Sequence, residues 1–200
     1  MPGPEQSPAA GPPRPPLRFR GRRVYHPSME KYWFTYEDIH STIRDLAERI
    51  RQSGYDADAI VAIGSGGFIP ARILRTYIKK PIFAVGIAYY DDENKPTDTP
   101  HKVQWVDEVE RKLTGKRILL VDEVDDSRTT LEYCIRELLT HKPASVAVAV
   151  LHNKDKEKRG VIPPEVKLYL AGRELEDRWI CYPWDALDIE EQNRQAHAAR

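Results

Sequence analysis

The chain has 200 residues, 40% of them apolar and 31% charged, which is the size and balance of one globular domain with a real core. Lysine plus arginine and aspartate plus glutamate each total 31, so the net charge is zero. That excludes a global field for nucleic acid or an anionic membrane, and any anion must be bound locally.

In chain order, seven of the sixteen prolines fall in the first sixteen residues, followed by Arg14, Arg18, Arg20, Arg22 and Arg23. Proline fixes φ and removes donors, and little here is apolar, so residues 1–30 read as a disordered, solvated arm. The start lacks the apolar stretch of a secretory signal. No apolar run reaches the roughly 20 residues of a membrane helix. Cys134 and Cys181 are too few for a disulfide framework or a four-cysteine zinc site, and a reducing cytoplasm is their simplest setting.

A folded domain is expected over 31–190, with 191–200 as a C-terminal tail. Thr35 with Asp38 forms a capping pair, and Ile39, Ile43, Leu46 and Ile50 recur at helical spacing until Gly54. The apolar run 59–63 reads as a strand buried on both faces, entering Gly64-Ser-Gly-Gly67. After Pro70 a helix runs to about Lys79, and 81–87 is a second apolar strand. Residues 90–106 are polar, carry Pro96 and Pro100, and read as a long mobile loop. A strand over 117–121, a helix through Leu131, Ile135 and Leu138, and strands over 146–151 and 166–170 complete the series. Strands alternating with helices predict an α/β fold, a parallel sheet flanked by helices on both faces. Ligands of such sheets bind beyond the carboxyl ends of the strands, where the segments 64–67 and 122–130 both fall.

Asp122-Glu-Val-Asp-Asp-Ser-Arg-Thr-Thr130 places acids at a strand end and hydroxyls at a helix start. Ser127, Thr129 and Thr130, together with free helix-start amides, suit a phosphate monoester. Asp122 and Glu123 suit a vicinal diol, or a magnesium ion held through water. A phosphate cup beside a diol clamp reads as ribose 5-phosphate; the plainer alternative is a solvated acidic turn. An ATPase-type P-loop is excluded because Gly-x-x-x-x-Gly-Lys-Ser/Thr does not occur.

The segment from Ile118 to Leu131 resembles the phosphoribosyl pyrophosphate motif of type I phosphoribosyltransferases. It is similar to that of the fungal hypoxanthine-guanine and xanthine-guanine enzymes and, more distantly, of the bacterial xanthine-guanine enzyme. The resemblance spans about 33 to 190. It departs from the commoner form in which small residues stand at the places of Arg128 and Thr129. It implies a hood or base-binding subdomain built from 161–190 and the N-terminal segment. It further implies that Asp122 and Glu123 hold the ribose hydroxyls, that Asp126 near the purine N7 is the general base, and that Asp126, Ser127, Arg128, Thr129 and Thr130 form the 5'-phosphate loop. Asp125 is expected to face away.

Gly64, Ser65 and Gly66 correspond to the family's pyrophosphate loop, with a cis peptide expected at Gly64–Ser65. Tyr89 and Tyr90 open the loop that closes over the site in relatives. Lys154, past the strand ending at Leu151, corresponds to the lysine that reads the purine O6. Trp179 corresponds to the residue stacked on the base, and the Ile180 backbone to the reader of its edge. Asp185 corresponds to an acid near the exocyclic group or a magnesium ion, with Asp122 and Glu123 reaching that ion through water. The implied activity is transfer of phosphoribosyl from its pyrophosphate to a 6-oxopurine, with Mg2+ as cofactor, in a cytoplasmic homo-oligomer, a dimer. Small-molecule substrates are the expected partners, with no nucleic acid and no membrane. Two rivals remain: a non-catalytic protein of the same fold that senses phosphoribosyl pyrophosphate or a nucleotide, and an orotate or pyrimidine phosphoribosyltransferase.

Overall fold

The computed structural model describes residues 30–90 and 96–199, except the side chains of 89, 90 and 96–99. The expected arm therefore lies outside the described residues, Glu30 apart. α1 (Tyr36–Gln52) starts where the capping pair placed it. The Thr35 hydroxyl accepts from the Asp38 amide at 3.1 Å, and the Asp38 carboxylate accepts from the Thr35 amide at 2.9 Å. Its buried stripe includes Ile39, Ile43, Leu46 and Ile50, and Gly54 follows the helix end with φ +75°.

The main sheet is six-stranded. Its strands are β2 (Ala59–Gly64), β3 (Ile82–Tyr90), β4 (Pro96–Gln104), β5 (Arg117–Asp125), β6 (Ser145–Asp155) and β7 (Val166–Glu176). They lie in the order β4-β3-β2-β5-β6-β7, all parallel except β4. Side chains alternate across a strand, so each central strand feeds two cores. Ile60, Leu119 and Val121 pack with α1 and with Leu74 of α2 (Phe68–Ile78). Val61, Ile118 and Leu120 pack with Leu113 of the short α3 (Val109–Leu113) and with Leu131, Ile135 and Leu138 of α4 (Thr129–Thr140). Pro70 stands in the first turn of α2, where its missing N–H removes no helix bond.

Four expectations are corrected. Residues 96–104, read as part of a loop, form β4; its prolines are tolerated because the strand lies at the sheet edge. β5 and β6 run past their apolar stretches to Asp125 and Asp155, so Lys154 lies within β6 instead of beyond it. The backbone ladder does not require apolar side chains: Asp125 pairs with Asn153, and Asp155 with Glu176. Residues 161–190 are not one hood, since β7 belongs to the main sheet. Residues read as a tail are largely α5 (Ile189–Ala198).

The smaller layer is a parallel pair, β1 (Lys31–Trp33) with β8 (Trp179–Cys181), followed by a 3-10 turn at Pro183–Asp185. Buried Gln192 of α5 fastens it, donating to the carbonyls of Phe34 and Cys181 at 2.9 Å each.

Candidate active site

The turn after β2 lies against the acids of β5. Its Gly64–Ser65 peptide is cis, as the resemblance implies. A Cβ placed on Gly66 would fall 2.0 Å from Cδ of Glu123, and one on Gly67 would fall 2.6 Å from the Ile63 carbonyl oxygen. At Gly67 the conflict is with backbone, so only glycine permits this approach of α2 to the sheet, whereas at Gly66 a side chain would displace the Glu123 carboxylate.

The adjacent acids separate. Glu123 lines the cleft described below, whereas Asp122 is buried and accepts the Glu123 amide at 2.9 Å. Only Glu123 lines the cleft, yet the two carboxylates stay within reach of each other, and their mutual repulsion adds to the burial of Asp122. Asp122 lies on the α4 side, where its charge adds to burial in raising the Cys134 thiol. Burial, and then the charge of Glu123, push the Asp122 carboxyl well above its ordinary range.

Asp125 does not line the cleft described below; it is buried at the end of β5, facing away from it. It accepts Nε of Arg128 at 2.9 Å and the Tyr169 hydroxyl at 2.7 Å. The Arg128 guanidinium, also stacked over Tyr169, is thus turned to Asp125 and is not a free phosphate ligand. Arg128 has φ +67° immediately before α4, and the Ser127 and Thr129 hydroxyls meet at 3.1 Å.

Asp126 meets the end of β6. Lys154, 8% exposed, has its ammonium 3.5 Å from Asp126 and 3.2 Å from Asp177. Lys156 repeats this from outside, at 3.1 Å from Asp126 and 2.9 Å from Asp177. Two ammoniums and two carboxylates form one closed set. Hydrogen bonding from Lys156 holds the Asp177 carboxyl below its ordinary value against partial burial, and Lys154 adds to the effect.

An aromatic stack, not anticipated from the sequence, carries the β1–β8 layer on the sheet. Trp184 stacks on Tyr182 with ring centres 4.4 Å apart, Tyr182 on His152 at 5.6 Å, and His152 on Phe34 at 4.4 Å. The Tyr182 hydroxyl donates to the Glu123 carbonyl at 3.0 Å, so its one proton is committed. Nδ1 of His152, 2.9 Å away, must then carry a proton and donate to the Tyr182 oxygen. That leaves Nε2 as a buried acceptor without a partner. Burial, aided by the charge of Arg173, pushes the His152 pKa down to about 3 from 6.5. The only signal in the sequence was the aromatic density around Cys181-Tyr-Pro-Trp184.

This histidine sets a pH dependence of stability. Below pH 6.5 the unfolded imidazole takes up a proton that the folded one refuses, so stability present above 6.5 is lost as pH falls toward 3. By pH 5 that loss is about 2 kcal/mol. His152→Phe keeps a flat ring in the stack and removes the titration. Urea melts should show its stability falling about 2 kcal/mol less than that of wild type between pH 7 and 5; parallel falls would contradict the assignment.

Ser65 and Gly66, Glu123 and Asp126, Lys154, Trp179 and Ile180, and Asp185 line a single cleft of ≈ 780 Å³ between the sheet and the β1–β8 layer. Trp184 lines it too, as well as packing on the core. Asp122, Gly64, Arg128, Ser127, Thr129 and Thr130 do not line it; the last three lie at the turn into α4. Tyr89 and Tyr90 end β3, and their side chains lie outside the described residues. Among the described residues, no three His, Cys, Asp or Glu side chains gather closely enough to hold a metal by themselves.

Residues 35–184 match the phosphoribosyl transferase domain. The chain is 39% identical to a Schizosaccharomyces pombe hypoxanthine-guanine phosphoribosyltransferase, over 85% of this chain and 95% of that protein. It is 36% identical to Saccharomyces cerevisiae xanthine phosphoribosyltransferase 1, over 84% and 96% of the two chains. Among solved structures it is similar to a Neisseria gonorrhoeae hypothetical protein with bound ppGpp, at 54% identity and TM-score 0.82, covering 88% of this chain and all of that one. A Pyrococcus horikoshii purine phosphoribosyltransferase matches at 27% identity and TM-score 0.61, over 80% and 97% of the two chains. The mostly parallel sheet, the cleft at its carboxyl edge and these matches agree: the chain belongs to the phosphoribosyltransferase family.

Proposed function

We propose that the chain is a purine-salvage phosphoribosyltransferase, joining hypoxanthine, guanine or xanthine to the ribose 5-phosphate of phosphoribosyl pyrophosphate and releasing pyrophosphate. The observation that carries this reading is the nearly buried Lys154 ammonium 3.5 Å from Asp126, in a cleft that also holds Trp179. An ammonium beside a carboxylate suits a ring with an exocyclic oxygen next to a nitrogen that must be deprotonated. Adenine would present an amino donor to that ammonium, an unpaired clash of donors.

Each loop then has one task. The Ile180 backbone reads the base edge while Trp179 stacks on the ring, and the Ser65-Gly66 backbone receives the pyrophosphate. Glu123 and Asp122 accept the ribose hydroxyls, and the Asp122 carboxylate also holds the Glu123 amide. Hydroxyls and amides from Ser127 to Thr130 hold the 5'-phosphate, with Arg128 contributing its amide while its side chain braces Asp125. Asp126 takes the purine proton as the N–C1' bond forms. Tyr89 and Tyr90 belong to the loop that shields the sugar from water.

The site fits magnesium, which binds to one or two carboxylates and completes its shell with water and substrate oxygens. Asp185 and Glu123 would hold it, and it would supply charge neutralisation to the departing pyrophosphate. A cytoplasmic homodimer belongs to the same proposal; the free cysteines and the family membership support it.

The Neisseria relative favours a second reading, a protein that binds a guanine nucleotide without turnover. Pyrophosphate release separates the two. With phosphoribosyl pyrophosphate, magnesium and a 6-oxopurine, the enzyme releases one pyrophosphate per base consumed. A protein that binds ppGpp or GMP yet releases none with any 6-oxopurine would be the sensor instead.

A further inference from the structure

We propose that Lys158 is a positioning residue of the 5'-phosphate subsite, setting the direction of the backbone amides that receive the phosphate; this rests on the function proposed above. Its ammonium donates to three carbonyls, those of Asp125 at 2.7 Å, Asp126 at 3.0 Å and Lys154 at 2.7 Å. The side chain is 12% exposed; its three protons meet three converging carbonyls, and the buried Asp125 carboxylate lies 3.6 Å from the same ammonium. The same turn takes the next carbonyl as well: the amides of Arg159 and Gly160 both donate to Ser127 at 3.1 Å. A Cβ on Gly160 would fall 2.6 Å from the Arg128 carbonyl oxygen, so the turn is seated directly on the loop.

Three consecutive carbonyls, 125 to 127, are therefore held from one side. In a trans peptide the C=O of one residue and the N–H of the next point in opposite directions. Holding those carbonyls toward the turn of Lys158 to Gly160 aims the amides of Asp126, Ser127 and Arg128 the other way, toward the side where a phosphate would be received. None of this requires Lys158 to touch substrate.

The test reads binding. Calorimetry with GMP and with guanosine is run on wild type and on Lys158→Met, after thermal melts establish folding. The expected result is a GMP Kd raised about 10- to 100-fold, from loss of charge-assisted hydrogen bonds, with guanosine changed less than about threefold. In Lys158→Ala, ammonium ion should occupy the vacated position and restore part of the GMP affinity, with no such effect on wild type. Should the methionine variant not fold, Lys158→Arg carries the comparison, because a planar guanidinium does not match three converging carbonyls. Equal losses for GMP and guanosine, an unchanged GMP affinity, or no response to ammonium would overturn the proposal. A wild type that binds GMP no better than guanosine would remove the phosphate subsite and the proposal with it. A wild type that binds GMP but lacks transferase activity would instead sink the function, leaving the Lys158 comparison valid.

Discussion

Asp126→Asn should lower kcat with guanine or hypoxanthine by roughly 10²- to 10⁴-fold, the usual yield of a positioned general base. The KM for phosphoribosyl pyrophosphate should stay within about threefold. Asparagine keeps the size and one acceptor oxygen of the side chain, and Lys158 still holds the Asp126 carbonyl, so the phosphate loop keeps its course. What disappears is a group able to take the purine proton. Initial rates at varied base and varied phosphoribosyl pyrophosphate separate the two effects. Losses of equal size in kcat and in phosphoribosyl pyrophosphate affinity would mean that Asp126 shapes the pocket without accepting the proton.

The second large effect is on base selection. Lys154→Met retains the length of the buried stem and removes the ammonium, which is the proposed donor for the purine O6. Loss of a hydrogen bond to a charged group in a nearly buried site costs about 1.5–3 kcal/mol, or roughly 10- to 150-fold in the KM for a 6-oxopurine. kcat should change less, since Asp126 retains Lys156 at 3.1 Å. The preference for guanine over adenine should fall with the ammonium. A variant with an unchanged guanine-to-adenine ratio would remove Lys154 from base recognition. Asp177, which pairs with both lysines, would then be the first place to look for the determinant.

What the sequence made legible follows from where apolar periodicity exists. α1 was readable to its cap because Thr35, Asp38 and the Ile39–Ile50 stripe all indicate the same helix. The strand cores of β2, β5 and β6 were readable as unbroken apolar runs. Their polar extensions were not, because backbone pairing continues where side chains have left the covered core. β4 was hidden by Pro96 and Pro100, which an edge strand tolerates. α5 was hidden because only Gln192 and Ala196 of it are buried, and a glutamine secures it through two backbone carbonyls.

The site divides in the same way. Loop chemistry could be read at Ser65, Gly66, Glu123 and Asp126, whose residue types are unusual for strand ends. Lys154 was only one charge in a run of charges until the resemblance singled it out; its burial beside Asp126 and Asp177 distinguishes it physically. Side-chain direction was not legible. Asp122 and Glu123 were read as a pair; their carboxylates do interact, but the sequence did not show that Asp122 is buried while Glu123 lines the cleft. Whether the Arg128 side chain reaches the phosphate was not readable, and the buried Asp125 holds its guanidinium. The Tyr182–His152 relay to the Glu123 carbonyl joins residues 30 and 59 positions apart, and no local pattern reports it.

The central claim is that a phosphate-and-ribose site and a 6-oxopurine site share one cleft, with Asp126 and Lys154 at their junction. Its most direct measurement is nucleoside 5'-monophosphate formation from guanine, hypoxanthine, xanthine, adenine and orotate, each with saturating phosphoribosyl pyrophosphate and magnesium. Rapid formation is expected with at least one 6-oxopurine, and none above background with adenine or orotate. Comparable use of adenine or orotate, or no product from any 6-oxopurine, would contradict it.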